Sequence, residues 1–248
     1  MNKFKALAIH FFISLAVVTT IITLMLTFWY PHAYFKLMGG AKLLYLIGGV
    51  DVFIGPLLTF VVFKTGKKSL RFDLTVIAML QVGAMSYGLY VMFEARPIFT
   101  VFNIDRFYVE SVVDIVPSEL SKAKTHEWRT ASITGPRLVA IGLPKDYENE
   151  EDKKLVFVLG NTVQNYPKVY QDYAKNQQVV IKVGRSLNEL IAINHENKKV
   201  IDSFLKKMHR PMTDFLYLPM YSAVNQMSAV VDSRTGELLE IIDAKPTK

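Results

Sequence analysis

Three long apolar runs occupy the first third of the chain, and nothing like them follows. Leu7 to Tyr30 spans 24 residues with His10 the one side chain able to charge near neutrality; Leu43 to Phe63 spans 21 with Asp51 alone; Leu74 to Phe93 spans 20 with none. At about 1.5 Å of rise per residue, roughly 20 residues match a hydrocarbon layer about 30 Å thick. The pattern predicts three transmembrane α-helices followed by an α+β extracytoplasmic domain. The boundary falls after residue 95, giving a three-helix transmembrane region over 1–95 and a periplasmic α+β domain over 96–248. The first run exceeds the usual length of a signal-peptide core and ends in Phe28-Trp29-Tyr30-Pro31 instead of small residues, so it reads as a retained helix with aromatic anchors.

Beyond Arg96-Pro97 the periodicity changes. Ile98–Ile104 and Tyr108–Val116 are β-branched and aromatic and read as strands. Pro117-Ser118-Glu119-Leu120 opens a mostly polar helix toward Trp128, and Gly135-Pro136 turns into a short buried strand over 137–143. The acidic stretch 146–152 starts a helix backed by Leu155, Val156 and Leu159, its negative charges facing the positive end of the helix dipole. Ser186 with Glu189 forms a capping box for a helix that breaks near Asn194 and stops by Pro211. Met227–Val231 and Leu238–Ile242 form a hairpin around Asp232-Ser233-Arg234-Thr235-Gly236-Glu237, with Gly236 available for a positive φ. Phe215, Tyr217, Tyr221 and Trp128 read as core.

Composition then narrows the function. With no cysteine among 248 residues, disulfide scaffolds and thiolate metal sites are excluded. The formal charge is +7, yet residues 97–248 hold 20 basic and 19 acidic side chains, so the excess belongs to the apolar region. It signals topology and contact with anionic membrane lipids, and gives no reason to invoke nucleic acid. Lys3 and Lys5 in the tail and Lys64, Lys67, Lys68 and Arg71 in the second loop outnumber Lys36 and Lys42 in the first. Basic excess marks the cytoplasmic side, which places the N-terminus inside and, after three crossings, the C-terminal domain outside. The short cytoplasmic segments leave no room for the output domain of a sensor kinase or cyclase.

Asp51 is the sharpest single residue. A carboxylate inside an apolar run is costly unless protonated or paired, and Gly48, Gly49, Gly55 and Pro56 around it loosen the backbone and admit a close neighbour. Its readings are an internal hydrogen bond to Thr23, Gln81 or Tyr87, recognition of a partner helix, or catalysis. Pairing with Asp73 as an aspartyl protease is disfavoured, because Asp73 lies at the edge of its helix and the GxGD order is missing. Gly66-Lys67-Lys68-Ser69 lacks the glycine spacing of a phosphate loop. His10, His32, His126, His195 and His209 show no metal-binding spacing, and Ser222, His209 and Asp214 lack a nucleophile-elbow context. No cofactor is implied.

The chain resembles the type IV pilin accessory proteins of the TfpX/TfpZ type. The resemblance rests on Lys3-Phe4-Lys5-Ala6, on Trp29-Tyr30-Pro31, on Gly48-Gly49-Val50-Asp51 through Gly55-Pro56-Leu57-Leu58-Thr59, and on Phe63-Lys64 through Leu74. It continues in Tyr87-Gly88-Leu89-Tyr90, Ala95-Arg96-Pro97, Val101 through Phe107, Gly135 through Val139, Tyr217-Leu218-Pro219 and the turn at 232–237. It implies a multi-pass inner-membrane protein that partners a type IV major pilin, chaperone-like and without catalysis. The alternative is a membrane-embedded envelope enzyme, a protease or modifying enzyme, using Asp51.

Overall fold

The computed structural model describes residues 2–247; the side chains of Lys42, Leu43, Leu46, Ile47 and Val50 lie outside that description. The chain divides into two compact units, Met1–Trp29 with Gly39–Glu94 and Tyr30–Met38 with Ala95–Lys248.

In chain order the helices are α1 (Lys3–Leu24), extended by a π-helical turn Met25–Trp29; α2 (Tyr34–Leu37), in the second unit; α3 (Gly40–Gly49), a π-helical turn Val50–Ile54 and α4 (Gly55–Val62); and α5 (Leu70–Glu94). Asn2 caps α1 by accepting the Lys5 N–H at 2.9 Å. The sequence predicts one helix across Leu43–Phe63, and here the expectation is corrected. Pro56 has no N–H to give to the Val52 carbonyl and its ring crowds that carbonyl, while Gly48, Gly49 and Gly55 are poor helix formers. The run breaks into α, π and α pieces. Among the described residues, two helices are long and apolar enough to cross a membrane, Lys3–Trp29 and Leu70–Glu94, with Asp51–Val62 a shorter apolar helix. The three-transmembrane-helix region and the multi-pass topology built on it are therefore not carried by the fold.

The second unit is a mixed eight-stranded sheet with helices on its faces. Its strands are β1 (Pro97–Asn103), β2 (Arg106–Ser111), β3 (Arg137–Ile141), β4 (Tyr170–Asp172), β5 (Arg185–Ser186), β6 (Phe215–Tyr221), β7 (Gln226–Asp232) and β8 (Leu238–Ile242). The order is β4-β3-β1-β2-β6-β7-β8, with β5 pairing β6 from the side. All seven β1 residues are buried, as a strand covered on both faces must be. One face carries Phe102, Phe107, Ala140, Leu218 and Met220 against Tyr173, Val180 and Leu37. The opposite face sets Phe99, Val101 and Val139 against Val156 and Val163. The remaining helices are α6 (Pro117–Leu120), α7 (Glu150–Leu159), α8 (Gln177–Val183), α9 (Leu187–Ile193) and α10 (Asn197–Met208). The last two pack Leu187, Leu190, Ile201 and Phe204 onto Phe215, Tyr217 and Val230.

The capping box at Ser186 and Glu189 forms, and the Asn194 break separates α9 from α10. The helix expected from Pro117 toward Trp128 is replaced by the four-residue α6 and a 3-10 turn at His126–Arg129. At the β7–β8 turn, Asp232 Oδ1 accepts from the Arg234 and Thr235 amides at 2.8 and 3.0 Å. Gly236 follows at φ +73°, where a Cβ would stand 2.5 Å from the Gln177 carbonyl oxygen.

Candidate functional site

Asp51 lies in the π turn between α3 and α4 and is 2% exposed. The Gln81 side-chain amide, from α5, donates to the Asp51 backbone oxygen at 3.2 Å and approaches its Oδ1 at 3.4 Å. Among the described residues, Asp51 Oδ2 has no hydrogen-bond partner. Beside it, His10 Nδ1 of α1 lies 2.6 Å from Thr59 Oγ1 of α4, and His10 is within electrostatic reach of the carboxylate. Four stretches of chain thus bring polar groups together inside an otherwise apolar helical unit.

The structure sorts the neighbours expected from sequence. Gln81 reaches Asp51; Thr23 instead donates to its own helix at Thr19 O, and Tyr87 is exposed. Gly55 is required on steric grounds, because a Cβ there would fall 2.1 Å from Gln81 Nε2. Gly48 would place a Cβ at an ordinary 3.9 Å from Val18, and Gly49 would meet nothing within 4 Å. Pro56 is buried at the start of α4. Asp73 is ion-paired to Lys67 at 2.5 Å and sits eight residues before Gln81 on α5, about 12 Å along the axis, so the two aspartates do not form a catalytic dyad.

The α/β unit holds the other feature. An open groove of about 1270 Å³ runs beside the edge strand β4, lined by Lys124, Trp128, Tyr147, Asp152, Tyr170 and Asp172 among others. Asp152 is buried and receives Lys124 at 3.0 Å and Lys168 at 3.8 Å. Lys124 also stands 5.4 Å from the Tyr147 ring centre. Burial pushes the Tyr147 and Tyr170 hydroxyls well above the usual phenol range, and both donate to carbonyls, Val169 and Gln164. These groups are committed to holding the fold. Ser222, His209 and Asp214 do not converge: Ser222 donates to Leu37 O, Asp214 pairs with Arg210 and Arg234, and His209 ends α10 in the left-handed region.

What the sequence did not reveal is how the second unit begins. Tyr34 OH bonds Thr100 Oγ1 at 2.8 Å, Leu37 is fully buried, and Asn225 donates to Lys36 O at 3.0 Å. Lys36 also pairs with Asp243. The segment directly after α1 is therefore part of the α/β core. Its apolar Ala33, Tyr34, Leu37 and Met38 were the available signal.

A family model described as "Fimbrial assembly protein FimB" matches residues 1–39. Over 224 residues the chain is 32% identical to the fimbrial assembly protein of serogroup I from Dichelobacter nodosus, covering 88% of this chain and 86% of that protein. The serogroup E1 protein of the same organism is 30% identical over 221 residues, again 88% and 86% of the two chains. The protein of serogroups C1 and C2 is 40% identical over 121 residues, 48% of this chain and 92% of that one. No solved structure matches. With that identity sustained across both units, the chain belongs to the fimbrial assembly protein family, an accessory family of type IV pilus assembly.

Proposed function

We propose that this protein is a non-catalytic accessory factor that binds and stabilises a type IV major pilin at the inner membrane and supports pilus assembly or dynamics. Membership of the fimbrial assembly family supports the pilus role. The apolar α1, with Lys3 and Lys5 before it, supports anchoring with the N-terminus cytoplasmic and basic residues near anionic lipid.

The observation that carries the placement of the α/β unit is its composition. Tyr30–Met38 follows α1 directly and belongs to the same unit as Ala95–Lys248. A single crossing by α1 then puts the entire unit in the periplasm, whatever path residues 39–94 take. There it would meet the globular head of a pilin whose apolar helix is held in the bilayer.

Pilin abundance and site-specific crosslinking test the proposal. Deleting the protein is expected to lower the level of the cognate major pilin. A photo-crosslinker at exposed Phe157 of α7 is expected to capture that pilin, the capture vanishing when the pilin gene is deleted. Unchanged pilin abundance together with unchanged crosslinks in the pilin deletion would refute it. An Asp51→Asn chain that accumulates and binds pilin normally but abolishes a proteolytic or modifying turnover would favour the enzyme reading.

A further inference from the structure

The cluster around Asp51 has more polar capacity than the chain itself uses. Asp51 Oδ2 is buried without a hydrogen-bond partner among the described residues, and Oδ1 has only the long 3.4 Å approach of Gln81. A buried acceptor left unpaired costs about 1–3 kcal/mol, more for a charged group. Gln81 is seated there by the absence of a side chain at Gly55. The carboxylate lies in a π turn, a local widening that recurs at functional positions in helices. Around it the surface is apolar and uncovered: Phe53 is 63% exposed, Ile54 50%, Leu57 57% and Leu58 41%.

We infer that Asp51 is the acceptor for a hydrogen-bond donor carried on an apolar helix of the pilin, with Gln81 holding the carboxylate in place. The inference rests on the proposed pilin binding and assigns the helical half of that contact. The site's own chemistry selects this occupant. A hydrogen-bond acceptor inside an apolar surface matches a donor inside an apolar helix; the donor satisfies Oδ2 while the helix covers Phe53, Ile54, Leu57 and Leu58. A metal ion fits poorly, since hard cations gather six or more oxygen ligands and, among the described residues, no group of three His, Cys, Asp or Glu assembles. His10 and Thr59 bond each other, so they complete the polar neighbourhood without satisfying Oδ2. The π turn supplies the slack by which Asp51 comes to the surface as the partner docks.

The test uses the full chain in membranes containing the cognate pilin, with a photo-crosslinker at Leu57 beside Asp51 or at Phe157 in the α/β unit. Asp51→Leu removes the acceptor and should leave the chain at its normal level, because an unpaired carboxylate contributes nothing to the fold. Pilin capture at Leu57 is expected to fall at least tenfold, while capture at Phe157 persists. Asp51→Asn retains an acceptor oxygen and is expected to keep at least a third of the Leu57 capture. An Asp51→Leu chain that captures pilin normally at Leu57, one that fails to accumulate, or an Asn chain as poor as the Leu chain would each overturn the inference. Absence of pilin capture at both positions in the unaltered chain would instead refute pilin binding itself.

Discussion

Glu110 is 6% exposed on β2, its Oε2 accepting from the Asn165 side chain at 2.8 Å. The same Asn165 amide donates to the Asp114 carbonyl at 2.9 Å, so β2 and the segment after α7 are tied through this carboxyl. Burial, and then the like charge of Asp114, push the Glu110 carboxyl up to about 8, against which the Asn165 bond works only in part. A carboxyl raised in the folded state holds its proton there while the unfolded chain has lost it, so stability falls as pH climbs from about 4.5 to about 8. The effect is on the order of a few kcal/mol. Thermal unfolding in detergent is expected to show a melting temperature that declines across this window. Glu110→Gln, which keeps an acceptor for Asn165, should flatten the decline and melt higher than the parent at pH 8. Ile104 makes a second case. It occupies the first loop position between paired Asn103 and Arg106 at φ +59°, a conformation that costs a β-branched residue about 1–2 kcal/mol. Its side chain is half exposed. Ile104→Gly should raise stability by about 1 kcal/mol, a shift of about 2–4 °C for a unit of this size.

Elements differ in how visibly they are written. The apolar runs of α1 and α5 and the β7–β8 hairpin are local patterns, and each forms where its pattern stands. The middle run is equally apolar, but Pro56 and the glycines around it decide backbone geometry, which a hydropathy window does not weigh. At the candidate site, Asp51 stood out as an acid in an apolar run and Gly55 as a small residue beside it; Gln81, 30 positions away, was one of three equal options until the fold brought α5 alongside. Strand β6 escaped notice because Pro219 argues against a central strand. The sheet accommodates it: β5 pairs at Leu216 and Tyr217, β2 at Met220 and Tyr221, and Pro219 falls between. That arrangement makes the β2–β6 seam thin. Two residue pairs, Phe107 with Met220 and Tyr108 with Tyr221, join the two halves of the sheet, against seven pairs between β6 and β7. Arg106 stacks 5.7 Å from the Tyr221 ring and Arg185 reaches Asp105 at 3.4 Å, but both are surface contacts worth little. Hydrogen exchange is expected to open the seam amides before those of the β6–β7 ladder. Equal protection in the two would show that the sheet opens as one block.

The whole chain is constrained by an accounting that no single element supplies. Tyr30–Met38 and Ala95–Lys248 share one core, with Leu37 packed beside Phe107 and Met220 and the Tyr34 hydroxyl bonded across to Thr100. A core cannot be split by a bilayer, because the burial that forms it needs its parts in contact. The end of α1 and the end of the protein must therefore report the same side of a membrane, and the start of α1 the opposite side if that helix crosses. The absence of cysteine from the chain makes the measurement clean. Single cysteines replace Lys3, Lys36 and Thr247, all exposed, and intact spheroplasts are treated with a membrane-impermeant maleimide. Lys36→Cys and Thr247→Cys are expected to label without permeabilisation, and Lys3→Cys only after it. Labelling of all three from outside would remove the crossing by α1. Labelling of Lys36→Cys and Thr247→Cys from opposite sides would break the shared core on which the periplasmic placement depends.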